Sequence, residues 1–542
     1  MNRNTESHFG NLPSLDMKRS KFKMPFSHKT TMSAGKIIPI FHKEILPGDS
    51  CKLKMSELIR MTTPIHPVMD NAYIDTYFFF IPRRLTWDHW AEFMGENTTD
   101  AWTQTIEYQI PQVTAPQGGW TKGSLADYFG IRTGVDGISI DAQYFRSYAL
   151  VVNEWFRNEN ITEPAQIPMG DETTTGSNGT DYVTDLVKGG MPMKAVKKAD
   201  YFTRAQIEPQ KGPDVLLPLG TTAPIIGKEP EIPYSNSQVA ENLINKPIGI
   251  RNRATSTYES MTIAYDSSTG IQGTPAENNS IGLAADLANA TAGTINALRQ
   301  AFAIQRLFEI DANAGTRYTE ILRGHFHVTS PDARLQRPEY LGGKRVFVNI
   351  QDIAQTSSTD NTSPQGNVGA MSKTIDTDDY VEASFVEHGI MLGLAVIRTE
   401  HTYSQGIPRE FSRKNRFDFY FPEMANLGEM QILNKEIYAQ GTAEDDEIFG
   451  YQEAWADYKY SPNYITGELR PDYELSLDSY TYADDFEELP TLTNDFILET
   501  DVNVERTLAI TSQDQFIADF YFDLEMYRPM PIYSIPSLTG WF

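Results

Sequence analysis

The run from Tyr73 to Ile81, inside "AYIDTYFFFIP", is the feature that most restricts the fold of this chain. Aromatic and β-branched residues crowd it, which favours a β-strand. Pro82 ends the run because proline has no backbone N–H to offer a neighbouring strand. From Tyr77 onward the residues at odd and even positions alike are apolar. Because successive side chains of a strand point to opposite faces of the sheet, this strand is predicted to be buried on both faces.

The rest of the sequence also favours β-structure. From residue 316 onward, short strand-like runs such as "RVFVNI", "RFDFYF" and "TLAIT" alternate with turns. Helical spacing of apolar residues predicts only a few helices, chiefly over 142–160 and from Thr291 or Thr294 onward. This pattern is typical of a mainly β protein, an antiparallel sandwich or barrel with elaborated loops. Residues 221–290 are polar and poor in aromatics, which predicts a functional insertion or a mobile loop.

The charge of the chain is strongly negative and unevenly spread. A net charge of −26 over 542 residues excludes a protein whose whole surface binds nucleic acid. Residues 1–30 nevertheless hold six basic residues against two acidic ones, whereas residues 441–500 hold sixteen acidic residues against two basic ones. The two segments are therefore predicted to meet different neighbours.

The sequence predicts a protein of the reducing cytosol without a membrane span. The longest clean apolar run, "GIMLGLAVI" from Gly389 to Ile397, is far shorter than the ~18 residues that cross a bilayer. The polar N-terminus does not resemble a signal peptide. The single cysteine, Cys51, excludes an internal disulfide framework.

A search for catalytic patterns returns little. The chain has no nucleotide-binding glycine loop and no Gly-x-Ser-x-Gly. Lys52 and Lys54 follow Cys51 closely and favour a lowered thiol pKa, but a structural thiol is the better interpretation. The carboxylate clusters over 374–380 and 444–447 lack the spacing of an EF-hand loop, which favours solvated acidic loops.

The pair "HFH", His325 and His327, is the strongest metal-site candidate. On a strand, two residues that are two apart share a face, so both imidazoles would reach one metal ion. A jelly-roll metalloenzyme needs further ligands, and His388 and His401 would have to supply them from elsewhere in the chain. Histidines bonded to core polar groups or to interface carboxylates are the default interpretation, and no metal or cofactor is predicted.

A basic, aromatic segment near the N-terminus, "MKRSKFKMPFSHK", is a candidate for DNA contact. Basic side chains neutralise phosphate, and an aromatic ring stacks on unpaired bases. An arm that pins a neighbouring subunit has the same composition, so both interpretations stay open. The candidate DNA-contact residues are Lys18, Arg19, Lys21, Phe22 and Lys23.

Several longer stretches, in this order, resemble the major capsid protein of the small single-stranded-DNA phages, the Microviridae, within their gokushovirus branch. The resemblance runs through nearly the whole chain and departs from the family pattern at Ile207 and Glu208. It rests on "LPGDS" at Leu46, "PVMDNAYIDTYFFFIPRRLTWDHWAEFMGE" from Pro67, "DYFTRAQIEPQKGPDVLLPLG" from Asp200, "INALRQAFAIQRLFE" from Ile295, "AGTRYTEILRGHFHVTSPDARLQRPEYLGG" from Ala314, "YSQGIPREFSR" from Tyr403 and "YRPMPIYSIPSL" from Tyr527.

The resemblance implies a viral jelly-roll of about eight antiparallel strands with long insertions. It implies a T=1-like icosahedral capsid of about sixty copies around a circular single-stranded DNA genome. It further implies a small basic DNA-packaging protein, a scaffolding protein during assembly in the bacterial cytoplasm, and a host receptor met by a threefold protrusion. No enzymatic activity is expected. The alternative is a jelly-roll metalloenzyme or a carbohydrate-binding protein.

The resemblance also leads to predictions about subunit contacts. The candidates for the subunit interface lie just past the predicted strand, and they are chosen because interfaces favour Trp and Arg. They are Arg83, Arg84, Trp87 and Trp90. The basic arm is predicted to lie inward and the acidic segment outward or at interfaces.

On this basis the chain divides into five predicted parts. They are an N-terminal arm with the first short strands (1–66), a first jelly-roll part with inserted helices (67–220), the surface protrusion (221–290), a helix with the return strands (291–440), and an acidic segment with a C-terminal wrapping arm (441–542).

Overall fold

The computed structural model describes residues 19–97, 107–215, 295–359 and 364–533, together with the backbone of four short strands between 225 and 285. The chain forms two compact units. One holds residues 1–212 and 308–542, and the other holds residues 213–307.

Nine strands of the larger unit form two antiparallel sheets. Sheet 1 has the order β1/β2–β9–β4–β7, in which β1 and β2 both pair with β9 as two parts of one edge. Sheet 2 has the order β6–β5–β8–β3. The strands are Ser20–Lys23 (β1), Phe26–Met32 (β2), Ile38–Ile45 (β3), Ser50–Met61 (β4), Ala72–Pro82 (β5), Glu339–Phe347 (β6), Thr374–Ser384 (β7), Gly389–Thr399 (β8) and Phe516–Arg528 (β9).

The described chain also has smaller elements. The helices are Trp90–Phe93, Leu125–Tyr128, Gln143–Val151 with a π-helical extension Val152–Phe156, Ile295–Ala314, Tyr318–Phe326, Asn434–Ile437, Ala456–Lys459, Asn494–Ile497 and Val502–Glu505. The 3₁₀ turns are Arg83–Leu85, Leu186–Lys188, Arg409–Ser412, Arg416–Asp418, Pro422–Met424, Ala443–Asp446, Gly467–Leu469 and Asp478–Tyr480. The short strands are Gln112–Thr114, Ser139–Asp141, Thr174–Thr175, Ile225–Gly227, Ile250–Arg251, Tyr258–Glu259, Leu283–Ala285, Ile350–Ala354, Val368–Ser372, Glu429–Leu433 and Ile448–Glu453.

The main core lies between the two sheets. Strand β4 alternates, with Leu53 and Met55 buried and Lys52 and Lys54 exposed, so one face of Sheet 1 packs inward and the other meets solvent. The inward side chains of β9, such as Phe520, pack in the same cluster as those of both sheets. Burial of this apolar surface is the main driving force that holds the sheets together.

The other face of Sheet 2 carries a second core. Phe79 and Leu392 of β5 and β8 pack in one cluster with Phe145 and Tyr148 of the helix Gln143–Val151. Strand β5 is therefore covered on both faces, and the prediction from its apolar run is confirmed. The predicted core-facing helix within 142–160 is confirmed too, although its last turn is π-helical.

Candidate functional site

The stretch that follows β5 packs against the chain's own interior. The Arg83 guanidinium is buried and donates to Asp141 (2.8 Å), Gln143 (2.6 Å) and Glu44 (3.0 Å). It also lies over the Trp90 ring, 5.2 Å from the ring centre. Three acceptors and an aromatic face thus compensate much of the cost of burying this cation, although its Nε has no hydrogen-bond partner among the described residues.

The other predicted interface residues divide between interior and surface. Trp87 is fully buried, and its indole N–H donates to Asp171 (2.6 Å). Arg84 keeps 37% of its side chain exposed and pairs with Glu387 (2.7 Å). The role of these residues at a subunit interface stays a prediction, and Arg84 is the member whose guanidinium lies on the surface of the single chain.

The candidate DNA-contact residues lie on the edge of Sheet 1. The predicted extended arm is paired over Ser20–Met32, where β1 and β2 both bond to β9. Lys21 and Lys23 point to the solvent side and both bind Glu525, at 2.6 and 3.0 Å. Phe22 is half-buried on the core side, opposite Met526. Lys18 lies outside the described residues.

Arg19 is also occupied within the chain. Its guanidinium donates to Ser50 Oγ at 2.8 Å and to the backbone carbonyl of Gly48. The bases of this edge are therefore partly neutralised by the chain itself, which weakens their attraction for phosphate. Their contact with DNA stays a prediction.

Neither Cys51 nor the pair His325 and His327 has the surroundings that a reactive thiol or a metal site would need. Burial raises the pKa of the Cys51 thiol to about 12, because Cys51 points into the core while Lys52 and Lys54 point away from it. His325 lies in the helix Tyr318–Phe326 rather than on a strand and bonds Asp311 (2.8 Å). His327 is the left-handed residue that ends that helix, so the predicted shared strand face is wrong.

The acidic clusters are neutralised locally. Lys344 of β6 binds Asp376 (2.6 Å) and Asp378 (3.0 Å) of β7, so this cluster lies on a strand and not in a loop. Asp446 pairs with Lys435 at 2.5 Å. Over the ranges that the structure describes, no three His, Cys, Asp or Glu side chains meet in a way that would hold a metal ion.

A buried charge network, which the sequence analysis missed, joins the end of β8 to the segment that holds Asp484 and Glu499. His401 Nδ1 bonds Asp484 (2.9 Å), and His401 Nε2 bonds Glu499 (3.1 Å). Lys197 also lies 3.5 Å from Asp484, and Thr399 donates to Glu499 (2.6 Å). All five side chains are buried. Their wide separation along the chain leaves no local sequence signal for the network.

The balance of charges in this network sets the protonation of its histidine. Burial opposes the charged imidazolium, but the carboxylates of Asp484 and Glu499 outweigh it and raise the pKa of His401 to about 10. His401 is therefore a cation at neutral pH, held between two carboxylates. Such a closed arrangement has no room for a substrate and is a structural clamp.

A second missed feature is an exposed row of aromatic and basic residues over 409–420, "REFSRKNRFDFY". The interleaving of Arg or Lys with Phe or Tyr is a visible sequence signal, but the sequence analysis uses "REFSR" only for the family resemblance. Its prediction of a strand over "RFDFYF" is wrong, because Arg416–Asp418 forms a 3₁₀ turn. No helix in the described ranges is both long enough and apolar enough to cross a membrane.

Comparisons with known proteins agree over the whole length. The model of a family described as "Capsid protein (F protein)" matches residues 10–538. The "Capsid protein VP1" of Bdellovibrio phage phiMH2K is 41% identical over 560 residues, covering 100% of this chain and 99% of that protein. Those of Spiroplasma virus 4 and Chlamydia phage 1 are 38% and 37% identical, covering 96% and 98% of this chain and 95% and 98% of those proteins.

Proposed function

The chain belongs to the capsid protein (F protein) family of the Microviridae, in the gokushovirus branch, and on that premise we propose that about sixty copies close into a T=1-like icosahedral shell around a circular single-stranded DNA genome. It is a structural subunit of the virion and not an enzyme. The full-length likeness to three capsid proteins carries this conclusion.

We infer that the two sheets are a viral jelly-roll. With β1 and β2 counted as one strand, the eight strands in chain order form sheets of order 1-8-3-6 and 5-4-7-2. Apart from the β5–β6 step within Sheet 2, consecutive strands alternate between the sheets, as in the two interlocked Greek keys of a jelly-roll. The long insertions follow β5 and β8.

The shell is expected to need help in holding DNA. A chain of net charge −26 repels phosphate at long range, so a small basic packaging protein, cations or local basic patches must offset the genome. We place the basic edge around Lys21 and Lys23 inward and the acidic segment 441–500 outward or at interfaces. A density map of the particle tests this placement, and Lys21 and Lys23 on the outer surface would contradict it.

The region 221–290 is proposed to be the threefold protrusion that contacts a host receptor. The support is that residues 213–307 form a compact unit of their own, inserted between β5 and β6. Replacement of 221–290 by a short Gly-Ser linker is expected to abolish attachment to host cells while particles still form. Loss of particles would instead make the region a structural part of the shell.

Assembly is proposed to take place in the bacterial cytoplasm with a scaffolding protein. The test of the proposed function is co-expression of the chain with the other virion genes, followed by sedimentation and nuclease treatment. Rapidly sedimenting particles that protect circular single-stranded DNA are the expected result. A chain that stays in the light fractions under these conditions would contradict it.

A further inference from the structure

Four aromatic side chains on the segment between β8 and β9 are exposed to different extents, and Tyr420 also contacts the Trp455 ring. The exposed fractions of Phe411 and Phe417 are 74% and 70%, and those of Phe419 and Tyr420 are 50% and 45%. Large exposed aromatic side chains that are grouped along one short segment are typical of an interaction site. We call these four rings, with Lys414 and Arg416, the aromatic-basic patch.

The patch carries an excess of positive charge. Residues 409–418 hold four basic side chains against two acidic ones. Arg413 pairs with Asp457 and stacks on Tyr458, 4.4 Å from the ring centre. Lys414 and Arg416 form no ion pair within the residues that the structure describes. The patch thus offers two cations that no carboxylate of the described chain neutralises.

Side-chain to backbone hydrogen bonds brace the backbone of the patch. The Asp418 carboxylate accepts from the backbone N–H groups of Lys414 (2.7 Å) and Asn415 (2.6 Å). Short 3₁₀ turns at Arg409–Ser412 and Pro422–Met424 flank it. A surface fixed in this way loses little conformational entropy when a partner binds.

A surface of opposite chemistry lies further along the same chain, over residues 468–478, which we call the acidic loop. Glu468, Asp472 and Glu474 are exposed and form no ion pair in the described ranges. Between them Tyr473 and Leu475 expose 54% and 80% of their surface. The loop has acidic and apolar side chains where the patch has basic and aromatic ones.

The acidic loop is closed at its base and is therefore also fixed before binding. The backbone N–H of Leu477 donates to the Glu468 carbonyl at 2.7 Å, and Ser476 Oγ donates to the Arg470 carbonyl at 2.7 Å. No ion pair or hydrogen bond joins the loop to the patch within the described chain. Each surface consequently lacks a partner that the other can supply.

We propose that the aromatic-basic patch of one subunit docks on the acidic loop of a neighbouring copy. The contact joins two different surfaces, so it is head-to-tail and closes into a ring only if the rotation between copies permits it. Aromatic residues and Arg are enriched at protein interfaces, and the opposite charges fix the register of the contact. The proposal rests on the self-assembly proposed above and assigns two of the surfaces that assembly uses.

A protein partner fits the patch better than single-stranded DNA. Aromatic rings beside cations also stack on bases, but Glu410, Asp418 and Asp457 lie in or beside the patch and repel phosphate. A second copy brings carboxylates and an exposed Leu475 on one loop. DNA binding by the patch is the competing outcome of the experiments below.

The first experiment reverses the charges of each surface and then of both. Lys414→Glu/Arg416→Glu and, separately, Asp472→Lys/Glu474→Lys are expected to lower the particle yield by roughly tenfold or more. The chain that carries all four changes is expected to recover most of that yield. Thermal melting of the unassembled chain confirms that each variant folds. A combined variant that assembles no better than either pair would overturn the docking, as would pairs that assemble like the wild type.

The second experiment does not need closed shells. Assemblies from a mixture of ¹⁴N- and ¹⁵N-labelled chains are treated with a zero-length carbodiimide, and cross-linked peptides are identified by mass. A cross-link from Lys414 to Asp472 or Glu474 that joins one light and one heavy chain is expected. Its absence would overturn the docking even if shells form, and its presence would support the docking even if shells do not close.

The DNA alternative has its own signature in the same variants. Lys414→Glu/Arg416→Glu chains that form particles in normal yield but without nuclease-protected DNA would overturn the docking and assign the patch to the genome. The matched control is Lys373→Glu, an exposed lysine outside both surfaces that forms no ion pair in the described ranges, and its reversal is expected to leave both yields unchanged.

Discussion

At the scale of single residues, the buried clamp depends on the positive charge of one side chain, His401. Asp484 and Glu499 are fully buried, and the imidazolium between them is their shared partner. Because the pKa of His401 is raised, this stabilisation is complete below pH ~6.5. It then decreases gradually and is lost as the pH rises towards 10, where the imidazolium gives up its proton. The clamp therefore holds at the pH of a bacterial cytoplasm.

We expect His401→Asn to lower the free energy of unfolding by about 3–5 kcal/mol, because it leaves the buried Glu499 without a cation and Asp484 with Lys197 alone. The measurement is urea unfolding of the unassembled chain at pH 7. His327→Asn is the matched control, since His327 is exposed and Asn tolerates its left-handed backbone. Equal unfolding midpoints for the two variants would contradict the clamp.

Glu57 is a buried acid without such compensation. It points into the main core from β4, and neither of its carboxylate oxygens has a hydrogen-bond partner among the described residues. Burial, and then the nearby carboxylate of Asp376, raises the pKa of Glu57 to about 8 although Lys344 opposes the shift. The folded chain thus keeps a proton that the unfolded chain releases near pH 4.5.

It follows that Glu57 lowers stability as the pH rises from about 4.5 to 8, by at most roughly 1.4 kcal/mol per pH unit. Glu57→Gln removes this titration, so the variant is expected to melt above the wild type at pH 9 and close to it at pH 5. Glu382→Gln, on the exposed face of β7, is the control and is expected to melt like the wild type at both. A constant difference between Glu57→Gln and wild type across this range would refute the account.

At the scale of elements, β9 links the chain's C-terminal part to its first strands. It lies between β4 and the β1/β2 edge, so its apolar face is needed to complete Sheet 1. Phe520 is fully buried on that face, whereas the adjacent Tyr521 is 48% exposed on the other. The alternation gives a direct test of which face carries the core.

Phe520→Ala is expected to destabilise the chain by about 3–5 kcal/mol because it empties a packed core position. Tyr521→Ala is expected to cost no more than about 1 kcal/mol, the range of strand preference at an exposed site. Urea unfolding of both variants measures the difference. If the Tyr521 variant proved the weaker of the two, the assignment of faces would be wrong.

The elements that the sequence predicted are those with a strong local pattern. Strand β5 has apolar residues at both parities and a proline at its end, and the helix Gln143–Val151 repeats apolar residues at helical spacing. The sequence predicts an extended arm at the N-terminus from its prolines and its lack of a helical period, but these features do not show what the edge Ser20–Met32 pairs with. Only pairing with β9, hundreds of residues away, makes it a strand.

Contacts between distant parts of the chain also explain why the surroundings of the functional residues could not be predicted from the sequence. His325 and His327 are two apart, and that spacing alone does not distinguish a strand from a helix end. The partners of His401 lie 83 and 98 positions further on. Trp87 and Arg83 are predicted at a subunit interface from their residue types, and that role stays a prediction. What the sequence did not show is that they bond Asp171 and Asp141, which come from distant segments.

At the scale of the whole molecule, the chain combines the features that a shell subunit needs. A double-sheet core bears insertions, one of which forms a compact unit of its own. Unpaired surfaces of opposite charge face solvent on the single chain. The strong net negative charge keeps free subunits apart at low ionic strength, and salt screens that repulsion.

The mass of the purified particle tests the central claim most directly. Particles are isolated from cells that express the chain with the other virion genes, and their mass is measured by analytical ultracentrifugation. The result expected is one sharp species that contains about sixty chains. Open-ended polymers of indefinite mass, or a monomer or small oligomer under the same conditions, would contradict the account.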